Sequence, residues 1–321
     1  MVHYAQSSKP EVSVAQSAFA GAVSGAVTRA IAQPLDVLKI RFQLQLEPIR
    51  NGSKYSSVLQ AVSSIVKEEG ISTLWSGHIP AQMLSISFGV VQFSVYEKLT
   101  QMYQKTDPQF YIANKHWINF SNGAIAATFA TITSYPFDTV RTRLIAEQKT
   151  NKAYRGFTDA LFTMIRREGP ISLFKGLVPT VAQIAPYAGI QFAVYKLFTD
   201  NILNKIAFFQ RSTNMNSTIE TSIIANAFAG SMAGFVSKTA VYPFDVIKKR
   251  LQIQGFQEHR KAFGRQMYCR GTVHCIFLTI SEEGFLALYK GYGPSILKAV
   301  VVSALHFTVY DEIKHIILSI R

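Results

Sequence analysis

Acidic and basic side chains recur at one fixed spacing in three places along an otherwise apolar chain. The three segments read QPLDVLKIR (33–41), YPFDTVRTR (135–143) and YPFDVIKKR (242–250). In each, an aspartate follows a proline by two residues and a basic residue follows the aspartate by three. Residues three apart share one face of a helix, so each segment presents an acid beside a base. A charge inside an apolar helix is costly unless it is paired or hydrated, so the pattern indicates ion pairing.

The three copies can pair with one another. In a threefold bundle, the acid of one copy meets the base of the next, so the three pairs form a closed ring. Because such ion pairs can form and break, the ring can act as a gate. The expected pairs are Asp36 with Arg141, Asp138 with Lys248, and Asp245 with Lys39. A proline within each helix is expected to bend it and bring the three ends together. These prolines are Pro34, Pro136 and Pro243.

A second block follows each first one and shows that the chain is a threefold repeat. It reads EGISTLWSG (69–77), EGPISLFKG (168–176) and EGFLALYKG (283–291). We predict an all-α membrane protein with one domain, 1–321, and repeats at 13–106, 115–206 and 220–318. Each repeat contains two apolar helices joined by a polar stretch with a short amphipathic helix. The long helices are expected at 13–46, 76–103, 115–146, 177–205, 220–253 and 292–318. Each exceeds the ~20 residues that cross a bilayer, which predicts six spans with both termini on one side.

The composition fits a membrane protein better than a nucleic-acid-binding one. The 321-residue chain carries 33 basic and 19 acidic residues, a net charge of +14, and a mean hydropathy of +0.15. Only 16% of residues are charged, against about 25% in soluble domains. The chain shows no helix-turn-helix or aromatic–basic RNA platform, and its basic residues cluster beside apolar segments, as in loops that touch anionic lipid.

Several other classes of site are disfavoured. Cys269 and Cys275 stand alone, so we expect neither a disulfide scaffold nor a structural zinc site, and we predict no metal or cofactor. The N-terminus has neither the apolar core of a secretory signal nor the arginines of a presequence, so targeting is expected to be internal. Neither a Walker loop nor a nucleophile–histidine–acid set is found, which disfavours an ATP-driven transporter and an enzyme.

The triplicated P-x-[DE]-x-x-[KR]-x-[KR] motif resembles the signature of the mitochondrial carrier family, over nearly all of residues 13–318. The resemblance implies a six-helix, pseudo-threefold carrier of the mitochondrial inner membrane, with three short matrix helices and both termini toward the intermembrane space. It implies alternating access, with the ion-pair ring closing the matrix side. Gln43 and Gln252 occupy the family's bracing positions below the ring, whereas the second repeat has Ile145. Because the threefold repeat makes one chain sufficient, we expect a monomer.

The family's opposite, cytoplasmic gate is eroded. Its motif [FY]-[DE]-x-x-[KR] is intact in YDEIK (310–314), but YEKLT (96–100) ends in Thr100, and YKLFT (195–199) has Lys196 for the acid and Thr199 for the base. We therefore predict an outer gate that opens easily and relies more on its tyrosines. The candidate gate residues are Tyr96, Glu97, Tyr195, Tyr310, Asp311 and Lys314.

Positions that differ between equivalent places in the repeats can fit an asymmetric ligand. Three of these positions carry a cation, and the equivalent positions of the other repeats carry no acid. Unpaired basic side chains in a hydrated cavity attract a polyanion such as a phosphate. The alternative is that these cations snorkel toward the membrane surface or pair with the gate aspartates. Two aromatic residues can stack on a flat ring or simply pack. By resemblance, these positions line the central cavity of the carriers. The candidates are Arg29, Lys238, Lys298, Gln183, Ile184, Tyr187, Phe88 and Gln92.

The expected ligand joins a di- or triphosphate to an aromatic head. Stretches 28–45, 77–93, 185–192 and 248–264 look like those members of the family that carry thiamine pyrophosphate. This implies its import into the matrix in exchange for nucleotides. Another phosphorylated solute, such as an adenine nucleotide or coenzyme A, is the alternative, as is a carrier fold used as a membrane adaptor or proton leak. By resemblance, YRG (154–156) and the KG pairs at 175–176 and 290–291 fit cardiolipin phosphates.

Overall fold

A computed structural model gives the architecture. It describes residues 14–46, 54–148, 152–213, 218–256 and 267–319, with backbone alone for 14–19, 201–227 and parts of 306–319. All regular elements in these ranges are helical, and long and short helices alternate. The helices are α1 (Val14–Leu44), α2 (Val58–Glu69), α3 (His78–Thr106), α4 (Pro108–Ala113), α5 (Lys115–Ala146), α6 (Phe157–Glu168), α7 (Leu177–Ala182), α8 (Ile184–Thr213), α9 (Thr218–Gln252), α10 (Thr272–Glu283) and α11 (Tyr292–Ser319).

The six long helices predicted from the apolar runs are all present, within a few residues of the expected bounds for most ends. The fourth is divided at Gln183 into α7 and α8, although backbone hydrogen bonds on both sides of that residue keep the two segments connected. On hydropathy and length alone, only Ile71–Thr106 and Pro170–Asp200 meet the criterion for a membrane span among the described residues. The signature segments place several charges in α1, α5 and α9, which lowers the hydropathy of those helices.

The EG pair explains where each short helix stops. Gly70, Gly169 and Gly284 follow α2, α6 and α10 with φ of 85°, 82° and 85°, a backbone conformation that glycine adopts without strain. A 3-10 turn follows each glycine, at 71–75, 170–174 and 285–289, and leads to the next long helix. The second block of the repeat is therefore a fixed connector between a short helix and a long one.

The bundle closes on itself. The most extensive helix contacts join α3 to α5, α8 to α9, and α1 to α11, so the first and last long helices meet. Three buried apolar clusters lie where the short helices pack, and the largest contains Val37, Val140, Ile145, Met164 and Phe256. We call this end of the bundle, with α2, α6 and α10, the short-helix end. Large apolar side chains elsewhere on the long helices, such as Phe93, Trp117 and Phe192, are exposed and suit a lipid environment.

Neighbouring repeats meet at a second set of glycines. Gly77, Gly176 and Gly291 precede α3, α7 and α11 with φ of 71°, 86° and 78°. A Cβ on Gly176 would lie 2.9 Å from the carbonyl oxygen of Lys248, and one on Gly291 would lie 2.8 Å from that of Lys39. Because these glycines have no side chain, each connector can contact the long helix of the next repeat. The contact is made at the basic residue of that helix's signature segment.

Gly176→Ala is expected to destabilise the folded protein by about 2–3 kcal/mol, because it combines a left-handed backbone with a backbone clash. Gly189→Ala is the matched control, since a Cβ there meets nothing within 4 Å. Thermal unfolding in detergent measures both. Equal unfolding temperatures for the two variants would contradict this account of the repeat interface.

The two cysteines form a single local pair. We expected no disulfide scaffold, and the structure joins Cys269 to Cys275. Cys269 precedes α10 and Cys275 lies in its first turn, so the turn into the helix brings the two Cα atoms to 4.9 Å, within the range that a disulfide spans. A single local pair does not require the larger cysteine framework on which the expectation was based.

Candidate functional site

The three ion pairs expected from the sequence are all formed. Asp36 lies 2.6 Å from Arg141, Asp138 lies 2.9 Å from Lys248, and Asp245 lies 3.3 Å from Lys39. Each pair joins two different repeats, so the six residues link α1, α5 and α9 in a closed circuit. We call these six residues the ion-pair ring. All three carboxylates are largely buried, a setting in which opening the ring would leave uncompensated charges.

Each aspartate of the ring also holds a second cation. Lys298 of α11 lies 2.6 Å from Asp36, Lys238 lies 2.5 Å from Asp245, and Lys249 lies 3.0 Å from Asp138. This corrects the expectation that Lys238 and Lys298 are unpaired. Lys238 precedes Asp245 by two helical turns on the same face, and α11 packs against α1, so both flexible lysines can reach a ring carboxylate.

The remaining predicted cation behaves differently. Arg29 donates a hydrogen bond from Nη1 to the carbonyl oxygen of Ala81 in α3 at 3.3 Å. This contact ties α1 to α3 within the first repeat. The three predicted cations therefore do not share one set of partners.

The two predicted bracing glutamines make different contacts. Gln252 donates from Nε2 to Asp138 at 2.8 Å, directly at the ring. Gln43 instead donates to the hydroxyl of Tyr242 at 3.0 Å, and Tyr242 in turn donates to the carbonyl oxygen of Lys290. Ile145, which replaces the brace in the second repeat, is buried in the largest apolar cluster.

A second tier of charges, which was not predicted from the sequence, lies at the short-helix end. The last basic residue of each signature forms a two-point salt bridge with the glutamate of the EG pair in its own repeat. Arg41 meets Glu69 at 2.5 and 2.8 Å, with side chains almost fully buried. The other two pairs are Arg143–Glu168 and Arg250–Glu283. Both motifs recur in every repeat, and this shared recurrence was the signal available in the sequence, because the separation of the two residues varies from 25 to 33 positions.

Two of these arginines also connect the repeats. Arg41 donates to the carbonyl oxygens of Ile145 and Glu147, and Arg143 donates to those of Gln252 and Gln254. Burial favours the neutral acid of Glu168, but the hydrogen bonds and charges of Arg143 and Lys175 outweigh it and lower the pKa of that carboxyl. Glu168 therefore contributes stability at neutral pH, which is lost as the pH falls through its depressed pKa.

A cavity of about 580 Å³ opens above the ring, between α3, α5, α8 and α9. Six of the eight predicted substrate residues line it, whereas Arg29 and Lys298 are not among its lining residues. The six are Phe88, Gln92, Gln183, Ile184, Tyr187 and Lys238. Asn119 and Gln191 line it as well, and the predicted set did not include them. The wall combines aromatic rings, amide groups and one ammonium, which suits a ligand with an aromatic head and an anionic tail.

One polar atom of this wall lacks a protein partner. Gln183 Oε1 is buried and accepts no hydrogen bond from the described residues. A buried amide oxygen without a donor is costly. A ligand with a hydrogen-bond donor would satisfy it.

The predicted second gate lies at the far end of α3, α8 and α11. Tyr96, Glu97 and Thr100 line one small cavity there, and Asn122 donates to the hydroxyl of Thr100 at 3.4 Å. Tyr195 is partly exposed. The side chains of Tyr310, Asp311 and Lys314 lie outside the described residues. The second gate therefore stays a prediction.

Comparison with known proteins identifies the architecture. The family model described as "Mitochondrial carrier protein" matches residues 10–107, 113–205 and 220–321. The chain belongs to the mitochondrial carrier family. It is thus a transporter of the mitochondrial inner membrane rather than an enzyme, and its all-α bundle of three repeats is the carrier fold.

Curated members of the carrier family resemble this chain along almost its whole length. A Homo sapiens protein named mitochondrial thiamine pyrophosphate carrier is 42% identical over 300 residues, 92% of this chain and 90% of that protein. A Bos taurus protein of the same name is 39% identical over 307 residues, 94% and 92% of the two chains. A Zea mays protein named mitochondrial thiamine diphosphate carrier 2 is 36% identical over 310 residues, 92% and 91% of the two chains.

Proposed function

We propose that this carrier imports thiamine pyrophosphate into the mitochondrial matrix. The observation that carries the proposal is the pairing of Lys238 and Lys298 with Asp245 and Asp36 beside an aromatic cavity. Similarity to proteins named for this substrate supports it. The side chains of these two lysines are 39% and 32% exposed, the largest values among the cations paired with the ring. Lys238 lines the cavity, and both side chains are exposed enough for an anion to contact them.

The diphosphate would compete with the ring aspartates for these lysines. Phosphate oxygens are strong acceptors of charge-assisted hydrogen bonds. When Lys238 turns to the ligand, Asp245 retains Lys39, and when Lys298 turns, Asp36 retains Arg141. Each of these two carboxylates then loses one of its two cations, which lowers the free energy needed to open the ring. Substrate binding and ring opening are coupled in this way, because both draw on the same side chains.

The organic part of the substrate would occupy the rest of the cavity. Phe88 and Tyr187 offer faces for the pyrimidine or thiazolium ring. The unpaired oxygen of Gln183 suits the amino group of the pyrimidine. The cavity thus provides contacts for both ends of the molecule.

The membrane arrangement forms part of the same proposal. The short-helix end would face the matrix, with the ion-pair ring closing that side, and both termini would face the intermembrane space. Nucleotides would leave in exchange by alternating access, and a single chain would be sufficient. Cardiolipin phosphates would bind where the helix α10 begins, beside Lys175, Gly176 and Gly271, which line one groove.

Reconstitution into liposomes tests the proposed function. Uptake of labelled thiamine pyrophosphate, ATP and coenzyme A would be measured with and without unlabelled substrate inside. We expect the fastest uptake for thiamine pyrophosphate, stimulated by internal nucleotide. Faster uptake of ATP or coenzyme A, with no uptake of thiamine pyrophosphate, would reject the assignment in favour of another phosphorylated solute.

Thr100→Lys tests the eroded second gate. The change restores a basic residue to YEKLT, so we expect an extra ion pair on the cytoplasmic side and exchange slowed by about two- to fivefold, as one partly exposed pair can produce. Gln109→Lys adds the same charge at an exposed position of α4, outside the cavity that Tyr96, Glu97 and Thr100 line, and is the control. Exchange rates in liposomes measure both variants. An unchanged rate for Thr100→Lys would remove the proposed weakness of this gate.

A further inference from the structure

Each ring aspartate has a second cation, and Lys249 differs from the other two, Lys238 and Lys298. Its side chain is only 10% exposed, against 39% for Lys238 and 32% for Lys298. Lys238 lines the cavity, whereas Lys249 and Lys298 do not, so side-chain exposure is what separates Lys249 from Lys298. Lys249 lies beyond Asp138 toward the short-helix end, where Thr142 and Gln252 surround it. Lys238 and Lys298 are therefore open to an anion, whereas Lys249 is shielded from it.

The contacts of Lys249 use its full hydrogen-bonding capacity. Its Nζ lies 3.0 and 3.1 Å from the two carboxylate oxygens of Asp138, and it donates to Thr142 at 2.8 Å and to Gln252 at 3.0 Å. Asp138 also forms an ion pair with Lys248 and accepts a hydrogen bond from the side-chain amide of Gln252. At Asp138, the link between the second and third repeats is therefore held by two cations and an amide, all of them from α9.

The repeat architecture does not require a lysine at this place. The equivalent residues, six after the signature proline, are Ile40 in the first repeat and Thr142 in the second. Ile40 packs in the largest apolar cluster. A buried lysine loses considerable hydration energy, which its partners must offset, so a residue that packs without charge is the simpler solution. The lysine is therefore a feature of this one link.

We propose that Lys249 is a positioning residue that locks the link between repeats two and three independently of the substrate. The inference rests on the proposed role of the ring as a gate. The substrate loosens Asp36 and Asp245 by drawing away Lys298 and Lys238, while Asp138 keeps both of its cations. The link at Asp138 is then the last to open. Lys249 thereby suppresses opening of the ring when no substrate is bound.

Lys249→Thr tests this proposal, because threonine is the residue of the second repeat. Liposomes loaded with labelled substrate would be diluted into buffer without substrate, and the unidirectional efflux would be compared with exchange. We expect the ratio of efflux to exchange to rise about tenfold, as the loss of one charge-assisted hydrogen bond implies, with an unchanged half-saturation constant for external substrate. Lys249→Arg should restore the low ratio. Lys67→Thr removes an equal charge at an exposed site of α2 and should leave the ratio unchanged.

Two results would overturn the proposal. An unchanged efflux ratio for Lys249→Thr would show that the lysine does not restrain the ring. A raised half-saturation constant at an unchanged ratio would make Lys249 a substrate ligand instead. If Lys249→Thr does not fold, Thr142→Val, which removes one partner of Lys249, should raise the ratio by a smaller factor, and an unchanged ratio there would equally contradict the proposal.

A substrate-independent measurement separates this inference from the proposed function. Hydrogen–deuterium exchange of the protein without substrate should become faster in peptides around 138–146 for Lys249→Thr, with peptides around 36–44 unchanged. Equal acceleration of both segments would indicate general destabilisation and would reject a link-specific lock. If the wild-type protein does not transport thiamine pyrophosphate, this measurement still tests Lys249.

Discussion

Lys298→Ala is expected to reduce thiamine pyrophosphate uptake by about 10- to 100-fold, the loss that follows from removing one charge-assisted hydrogen bond to a phosphate. The variant should fold normally, because Asp36 keeps its 2.6 Å contact with Arg141. Initial rates of labelled uptake into liposomes, normalised to the amount of folded protein, measure the effect. Uptake falls because Lys298 no longer binds the substrate phosphate. The ring is retained because Asp36 still pairs with Arg141.

Lys105→Ala is the control for this prediction, because Lys105 is an exposed lysine at the end of α3. Its uptake should match that of the unsubstituted protein. Normal uptake by Lys298→Ala would show that the substrate phosphate binds elsewhere. Equal loss in both variants would point to a general effect of positive charge.

Glu69→Ala is expected to destabilise the fold by about 3–5 kcal/mol, because it leaves the buried guanidinium of Arg41 without its carboxylate. The effect extends beyond the first repeat, since Arg41 also holds the carbonyl oxygens of Ile145 and Glu147 at the end of α5. Thermal unfolding in detergent measures the loss, at about 2 °C for each kcal/mol.

The adjacent residue supplies the control for the second prediction. Glu68 forms an ion pair with Lys54 at 3.3 Å, but its side chain is 55% exposed. Glu68→Ala should therefore change stability by less than about 1 kcal/mol. If the two alanine variants unfold at the same temperature, the buried salt bridges of the short-helix end do not stabilise the carrier as argued here.

The sequence was sufficient to predict the long helices, the three repeats and the three pairs of the ring. These features depend on periodicity and on spacing within a motif, which are visible in one chain. Asp36 and Arg141 could be paired from the sequence because threefold symmetry brings each acid to the next base. The bounds of the long helices followed from the apolar runs, whereas the structure shows that the glycines of the second block end one helix and precede another.

The partners of Lys238 and Lys298 could not be predicted in the same way. Their positions have no charged equivalents in the other repeats, so symmetry provided no partner. Which carboxylate a flexible lysine reaches depends on helix packing, here that of α11 against α1. Lys249 was missed because it lies within the run KKR. The residues on either side, Lys248 and Arg250, are the two basic positions of the motif, and Lys249 stands at the variable position between them. The buried Arg–Glu pairs were missed although both residues lie in repeated motifs. The spacing within one motif does not show which residue of the other motif it contacts.

Thermal stabilisation by ligands tests the central claim most directly, namely that ring-bound lysines hold the diphosphate. Purified carrier would be unfolded with thiamine pyrophosphate and, separately, with thiamine, which has the same rings and no phosphate. At a concentration 100 times the dissociation constant, a bound ligand stabilises the folded state by about 2.7 kcal/mol. We predict that thiamine pyrophosphate raises the unfolding temperature, that thiamine does not, and that the Lys238→Ala, Lys298→Ala double variant loses the rise. Equal stabilisation by thiamine, or an undiminished rise in the double variant, would contradict the account.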